Sequence, residues 1–266
     1  MSIASRISIG LFAAGIFAVG AGEIAAIKTA ADLTTPKAVT VADGVFTSKG
    51  PYKALFSKQA ITVDPAKKYQ ISGEFRTKAG TKPSVYFGFA PYNAKGQPIT
   101  CASICVTPDT ATEVAADAPK GSKSILVKDA SKWKTASPYA LIVFNAKADF
   151  SDLPNYSYIS IVKNGRAQEG EFWKLTLKTP LKADVKAGTK VRQHSMGSAY
   201  IYTGGAFRLP EKWVARKGTI SGMAKNTNPV SKFWPGTKKV RILILLMGGK
   251  ADTEMEFKNI KVEEIQ

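Results

Sequence analysis

Alternation of apolar and polar residues governs the chain from about Val39 onward. In Tyr69-Gln70-Ile71-Ser72-Gly73-Glu74-Phe75-Arg76, Ile71 and Phe75 point one way while Ser72, Glu74 and Arg76 point the other, the pattern of a half-buried strand. Ser84 to Tyr92 repeats it with Val85, Phe87 and Phe89 inward, and Asn93-Ala94-Lys95-Gly96 then turns the chain, giving a hairpin. Phe172 to Lys178 alternates Trp173, Leu175 and Leu177 with Phe172, Lys174, Thr176 and Lys178, one face core and the other mostly water. Val240 to Met247 is apolar on both faces and reads as a central strand. Met255 to Ile265 has two inward sets that are out of phase, which predicts a bulge near Asn259. Helical periodicity is confined to the N-terminus, apart from single turns expected at Pro65 to Lys68 and Pro210 to Trp213.

The N-terminal run differs in kind. Arg6 supplies a positive charge, and Ile7 to Gly22 is uncharged and apolar, shorter than the roughly 18 or more residues of a spanning helix. An export signal over 1–31 is the expectation. Cleavage could fall at Ala18-Val19-Gly20, at Gly20-Ala21-Gly22, or later at Thr29-Ala30-Ala31. The alternative is an uncleaved anchor, the one route by which a membrane enters the reading. Residues 32–46 then read as a tether or N-terminal strand.

Composition narrows the setting. The chain has 266 residues and a formal charge of +18, with one histidine and two cysteines. Such a basic chain is drawn to anionic surfaces, but its lysines are dispersed from Lys174 to Lys239 and no RNP-like aromatic motif appears, which disfavours nucleic acid. Cys101 and Cys105 lie close enough for a local disulfide in an oxidising compartment, with two free thiols as the alternative; zinc lacks further ligands.

Ile71 to Arg76, Tyr86-Phe87-Gly88-Phe89 and Tyr92 to Gly96 resemble the opening strands of galactose-binding-like jelly rolls, the sandwich of many carbohydrate-binding modules. Val240 to Ile244 and Phe257 to Val262 resemble their closing strands. Gly121 to Trp133, Trp173 to Leu177, Pro180-Leu181 and Ala187 to Val191 are similar to small β-modules of phage tail and secreted surface proteins. Many short strands punctuated by Gly, Pro, Asn and Asp read as an all-β sandwich or barrel. The resemblance implies an antiparallel jelly-roll β-sandwich over 47–118 and 194–266 with a small antiparallel β-subdomain inserted at 119–193, and the signal helix read from the N-terminal run lies ahead of both. An elaborated long loop of one sandwich is the alternative for the middle segment.

Three constellations could carry chemistry. Arg192 and His194, with Tyr200 and Tyr202 on one strand face, could neutralise a uronate and abstract its α-proton, as a polysaccharide lyase requires. Asp149, Asp152 and Asn155 place oxygens at every third position, a candidate structural calcium loop whose simpler explanation is a capped turn. Asp149 with Asp152, or Glu169 with Glu171, offer carboxylate pairs without a defined separation. Tyr92, Tyr156, Tyr158, Phe233 and Trp234 fall in polar, loop-like surroundings and are candidates to stack on sugar rings, whereas Trp173 and Trp213 read as core. No nucleotide-binding loop is present.

Together these features lead to the expectation of a secreted or cell-surface, non-catalytic protein of the carbohydrate-binding type whose partner is an anionic glycan and which needs no cofactor. The rivals are a self-assembling filament or surface-layer subunit, joined as a homo-oligomer when Ala38 to Phe46 adds as a strand to a neighbour, and the lyase.

Overall fold

The computed structural model describes residues 22–266. Of the export signal expected over 1–31, a helix, residues 1–21 lie outside the described residues. Seven strands come first: β1 (Gly22–Ile27), β2 (Thr40–Ala42), β3 (Val45–Lys49), β4 (Lys53–Phe56), β5 (Ile61–Thr62), β6 (Lys68–Ala79) and β7 (Ser84–Tyr92). A helical turn, α1 (Cys101–Ile104), leads to β8 (Thr112–Glu113), β9 (Ser124–Val127), β10 (Ala140–Phe144), β11 (Tyr158–Glu169), β12 (Phe172–Leu177) and β13 (Lys190–Ser195). The last four strands are β14 (Ile201–Arg208), β15 (Val214–Ser221), β16 (Lys239–Met247) and β17 (Glu254–Ile265).

The strands form three antiparallel sheets, so the chain is all-β. The first runs β15-β6-β17-β3-β2, with β1 also on β17; the second runs β14-β7-β16-β4, with β5 on β16. These two face each other across one core, in a β-sandwich-like arrangement. Phe75 of β6 meets Phe87 of β7 edge to face at 4.9 Å, and Phe75 also meets Phe207 of β14 at 5.7 Å. Alternation explains the layering: Ile71 and Phe75 of β6 and Val85, Phe87 and Phe89 of β7 are fully buried, and each set can be covered only by the other. The strands of the two runs are therefore opposed across the core instead of paired side by side. After β7 the chain does reverse at Asn93, with Gly96 N–H donating to Asn93 O at 3.0 Å. Beyond that turn the chain makes a single bridge from Tyr92 to Pro98 and then enters α1, so the expected hairpin shrinks to a turn.

The third sheet runs β8-β13-β10-β11-β12-β9 around a second core built from residues between Val114 and Val191, Ile142 and Leu175 among them. Its outer strands meet: Ala115 N–H donates to Leu126 O and Lys128 N–H to Glu113 O, both at 2.9 Å. The segment expected as an insertion, 119–193, supplies β9 to β13, while β8 and Val114 precede it. The sandwich core takes its residues from Ala25 to Cys105 and from Ile201 to Val262.

Two N-terminal segments are built into the first sheet. β1 pairs with β17 from Gly22 opposite Glu264 to Ile27 opposite Ile260, and buries Ala25 and Ile27. Cleavage at Thr29-Ala30-Ala31 would remove this strand from the core. Residues 32–46, expected as a tether or N-terminal strand, hold β2 and the start of β3: Leu33 is buried, Ser57 bridges to it, and Val41 in β2 pairs with Phe46 in β3. The bulge expected near Asn259 is present. The β17–β6 register shifts between Lys258 and Lys261, and Asn259 takes φ +54°.

Candidate functional site

The second sheet has an aromatic outer face. Because Val85, Phe87 and Phe89 point inward from β7, Tyr86 points outward; β4 buries Leu55 and turns Phe56 out, and β16 sends Leu243 and Leu245 outward. Tyr200 and Tyr202 come in from β14 and the residue before it. The rings form a row, Tyr86 to Tyr202 at 5.0 Å, Tyr202 to Tyr200 at 6.3 Å and Tyr200 to Phe56 at 5.8 Å, each pair tilted by 52° to 58°. Tilted pairs suit the ring quadrupole and leave part of each ring to solvent. Gly88 permits the row to form. A Cβ there would lie 2.0 Å from Ile201 O, so any other residue would push β14 off the sheet.

Beyond the row stand Tyr52, 56% exposed, and Tyr92, with the Arg241 guanidinium 6.0 Å from its ring. Arg241 also donates to Ser57 O at 3.3 Å, which fixes its position at this end of the face. Burial pushes the Tyr200 hydroxyl above its ordinary range, and the neighbouring Tyr52, Tyr202 and Tyr92 add to the effect. The hydroxyls of Tyr52, Tyr86, Tyr92, Tyr200 and Tyr202 have no hydrogen-bond partner among the described residues, and none is sealed from solvent. Each keeps both donor and acceptor for water or a ligand. Tyr69 contrasts with them, because its hydroxyl accepts from Asp64 N–H at 3.0 Å inside the sandwich. The face can stack on an apolar surface, hydrogen-bond to hydroxyls and offer a cation at Arg241.

The four residues of the lyase constellation are not brought together as a reacting group. Arg192 and His194 lie on β13 in the third sheet, and both are buried. Arg192 donates from Nε to His194 Nε2 at 2.9 Å, from Nη1 to Lys147 O and Asp152 Oδ1 at 3.1 Å each, and from Nη2 to Asp152 Oδ2 at 2.6 Å. His194 Nε2 is thus an acceptor, so Nδ1 carries the proton and donates to Ala102 O at 3.0 Å. Burial drives the His194 pKa down to about 4, and the adjacent Arg192 charge adds to the shift while Ala102 O opposes it. A neutral imidazole with both nitrogens occupied and no path to solvent cannot take a substrate proton.

The same network runs into the candidate calcium loop, where the alternative of a capped turn describes the bonds. Asp152 accepts from Arg192, from Asn155 Nδ2 at 2.8 Å and from Lys147 N–H at 3.2 Å. Burial would raise its pKa, but the bonds from Asn155 and Arg192 and the guanidinium charge outweigh burial and hold it low. Asn155 is itself spent on Phe144 O and Ser157 N–H, while Asp149 caps Ser151 N–H at 3.0 Å, an Asx turn. A protein cation fills the role expected of calcium, and no group of three or more metal-ligating side chains occurs among the described residues. Glu169, offered as half of a carboxylate pair, forms an ion pair with Lys174 at 2.9 Å.

The remaining candidates divide. Phe233 and Trp234 are each 1% exposed and belong to the sandwich core: Phe233 meets Tyr69 edge to face at 5.8 Å, and Trp234 Nε1 donates to Pro229 O at 3.2 Å. They plug the end of the sandwich and present no ring to solvent. Tyr156 donates to Pro98 O at 3.2 Å and accepts from Asn93 Nδ2 at 3.3 Å, fastening the third sheet to the turn after β7. Tyr158 is half-buried on β11 opposite Val143. Of the five expected ring-stacking residues, Tyr92 alone joins the outer face. Cys101 and Cys105 are free, buried thiols. They sit one helical turn apart, where a hydrogen bond between them lowers the Cys101 pKa and raises that of Cys105. Sequence reasoning missed Tyr52, Phe56 and Tyr86, although Tyr86 was legible as the outward residue between Val85 and Phe87. No family model and no curated protein matches the chain.

Proposed function

We propose that this chain is an exported, non-catalytic glycan-binding protein, a galactose-binding-like jelly roll interrupted by a small β-module, that binds anionic polysaccharide on the outer face of its second sheet. The observation that carries the reading is the row Tyr86, Tyr202, Tyr200 and Phe56, with tyrosine hydroxyls unpaired beside Arg241. Partly exposed rings cover the apolar faces of sugars, free hydroxyls replace the water on sugar hydroxyls, and Arg241 meets a carboxylate or sulfate. The charge of +18 supplies long-range attraction that weakens with salt. Affinity electrophoresis in gels containing polygalacturonate tests it. The wild-type chain is retarded at low salt, and the Tyr200→Ala/Tyr202→Ala variant is not. Equal retardation of the two chains would end the proposal.

A second reading, assembly by strand exchange, draws on β1, the first strand of the described residues, which pairs among them with β17 alone. The segment first expected as donor is taken, since β2 already pairs with β3 in the same chain. A mature chain that elutes as a monomer at high concentration counts against assembly and leaves the glycan reading untouched.

A further inference from the structure

A second site lies away from the aromatic face, in a cleft of about 620 Å³ where the third sheet meets the sandwich. Its walls are the segment Val106–Glu113, the loop Ala146–Phe150, the start of β13, and Asn226 from the sandwich. Clefts at the seam between two cores are where small ligands bind most often. The seam is held open at fixed width by direct bonds: Val106 N–H donates to Asn226 O at 3.2 Å, Thr107 N–H to Gln193 O at 2.9 Å and Asn155 N–H to Ser103 O at 2.9 Å.

Phe150 is the unusual wall residue. Its backbone takes φ +63°, a left-handed conformation that a bulky side chain rarely adopts. It is pinned there by Phe150 N–H to Lys147 O at 3.1 Å and Leu153 N–H to Phe150 O at 3.0 Å. Strain of this kind gathers at ligand clamps. Two cations attend the ring, Arg192 at 5.3 Å from beneath the loop network and Lys225 at 5.5 Å. Arg192 is neutralised by Asp152, but Lys147 and Lys225 have no ion-pair partner among the described residues. The Asp109 carboxylate and Asn226 amide also make no side-chain hydrogen bond there.

We infer that this cleft binds a single acidic sugar unit or chain end, Phe150 contacting the ring, Lys147 and Lys225 the carboxylate, and Asp109 and Asn226 the hydroxyls. The ligand class rests on the glycan reading of the sheet face; the site does not. The test is titration of the full chain with a galacturonate trisaccharide and with a neutral galactose trisaccharide, monitored by NMR shifts in both regions. The acidic sugar shifts residues around Phe150 and the neutral one binds at least tenfold more weakly. Phe150→Asn weakens acidic-sugar binding in the cleft at least tenfold without lowering the melting temperature, because Asn tolerates positive φ; Tyr200→Ala leaves it unchanged. Lys225→Gln with Asn226→Ala gives a loss of the same sign should Phe150→Asn not fold. Shifts confined to the aromatic face, abolished by Tyr200→Ala, would overturn the cleft and keep the proposed function. Shifts in the cleft alone would do the reverse, and equal affinity for the neutral sugar, or no binding at either place, would overturn the inference.

Discussion

Arg192 and His194 lie only a few residues before Tyr200 and Tyr202, yet the two pairs end in opposite conditions. In the Arg192–His194 pair the polar groups are spent: the guanidinium serves Asp152, Lys147 and His194, and the imidazole is held at both nitrogens. On the outer face of the second sheet the tyrosine rings pack on one another, but their hydroxyls have no partner among the described residues. Polar groups that have consumed one another hold a fold together, whereas polar groups left unpaired at solvent remain available to a ligand. The outer face of the first sheet makes the same point. There Trp213 lies 4.7 Å from the Arg76 guanidinium and 4.5 Å from the Lys258 ammonium, and Arg76 is bound to Glu256. The guanidinium at that ring is already committed to a carboxylate.

The largest effect that sharpens this contrast is expected at Asp152. Asp152→Ala leaves the Arg192 charge buried without its partner, a loss of about 3–5 kcal/mol in unfolding free energy by urea titration, with no change in glycan affinity per folded molecule. Next comes acid. The His194 pKa falls from 6.5 to about 4 on folding, so the unfolded chain takes up the proton first. Stability is full above pH 6.5 and falls by about 3 kcal/mol as pH drops toward 4. His194→Gln should flatten that window. Below it the depressed Asp152 carboxyl begins to protonate and the chain weakens further. A stability profile that stays level from pH 6.5 to 4 would show that His194 is not sealed as described.

Gly88→Ala sets a Cβ against Ile201 O and should cost about 2 kcal/mol while also weakening glycan retention, because β14 carries the row. The smallest stability effects belong to the hydroxyls. Tyr200→Phe and Tyr202→Phe should melt within about 0.5 kcal/mol of the parent, since nothing in the fold uses those oxygens. Tyr69→Phe, which strands the Asp64 N–H, should cost about 1 kcal/mol. A clear destabilisation by Tyr200→Phe would mean that its hydroxyl has a structural partner and would break the comparison.

Much of the layering was legible along the chain. Strict alternation located β7 and β12, the doubly apolar run located β16 at the centre of its sheet, and the phase change in β17 located the bulge at Asn259. Alternation says which side of a strand is inward, but not which strand lies beside it, so β6 and β7 fell in different sheets. The site was legible only in part, for the same reason. Tyr200 and Tyr202 were visible as a same-face pair, but Phe56 reaches Tyr200 across strands distant in sequence, and Gly88 matters only once β14 is laid against it. Burial of Phe233 and Trp234 was hidden because their neighbours are polar and the core they plug is assembled from β6 and β16. The carboxylate spacing at Asp149, Asp152 and Asn155 suggested a cation, and the cation proved to be Arg192, brought in from β13.

The most direct test of the central claim is retention on polygalacturonate at low salt for three variants, each verified as folded: Tyr200→Ala/Tyr202→Ala, Trp213→Ala and His194→Gln. Loss of retention in the tyrosine variant, with the other two bound like the parent, is the expected result. Retention of the tyrosine variant at parental strength, or equal loss in Trp213→Ala, would contradict the assignment of the glycan to this face.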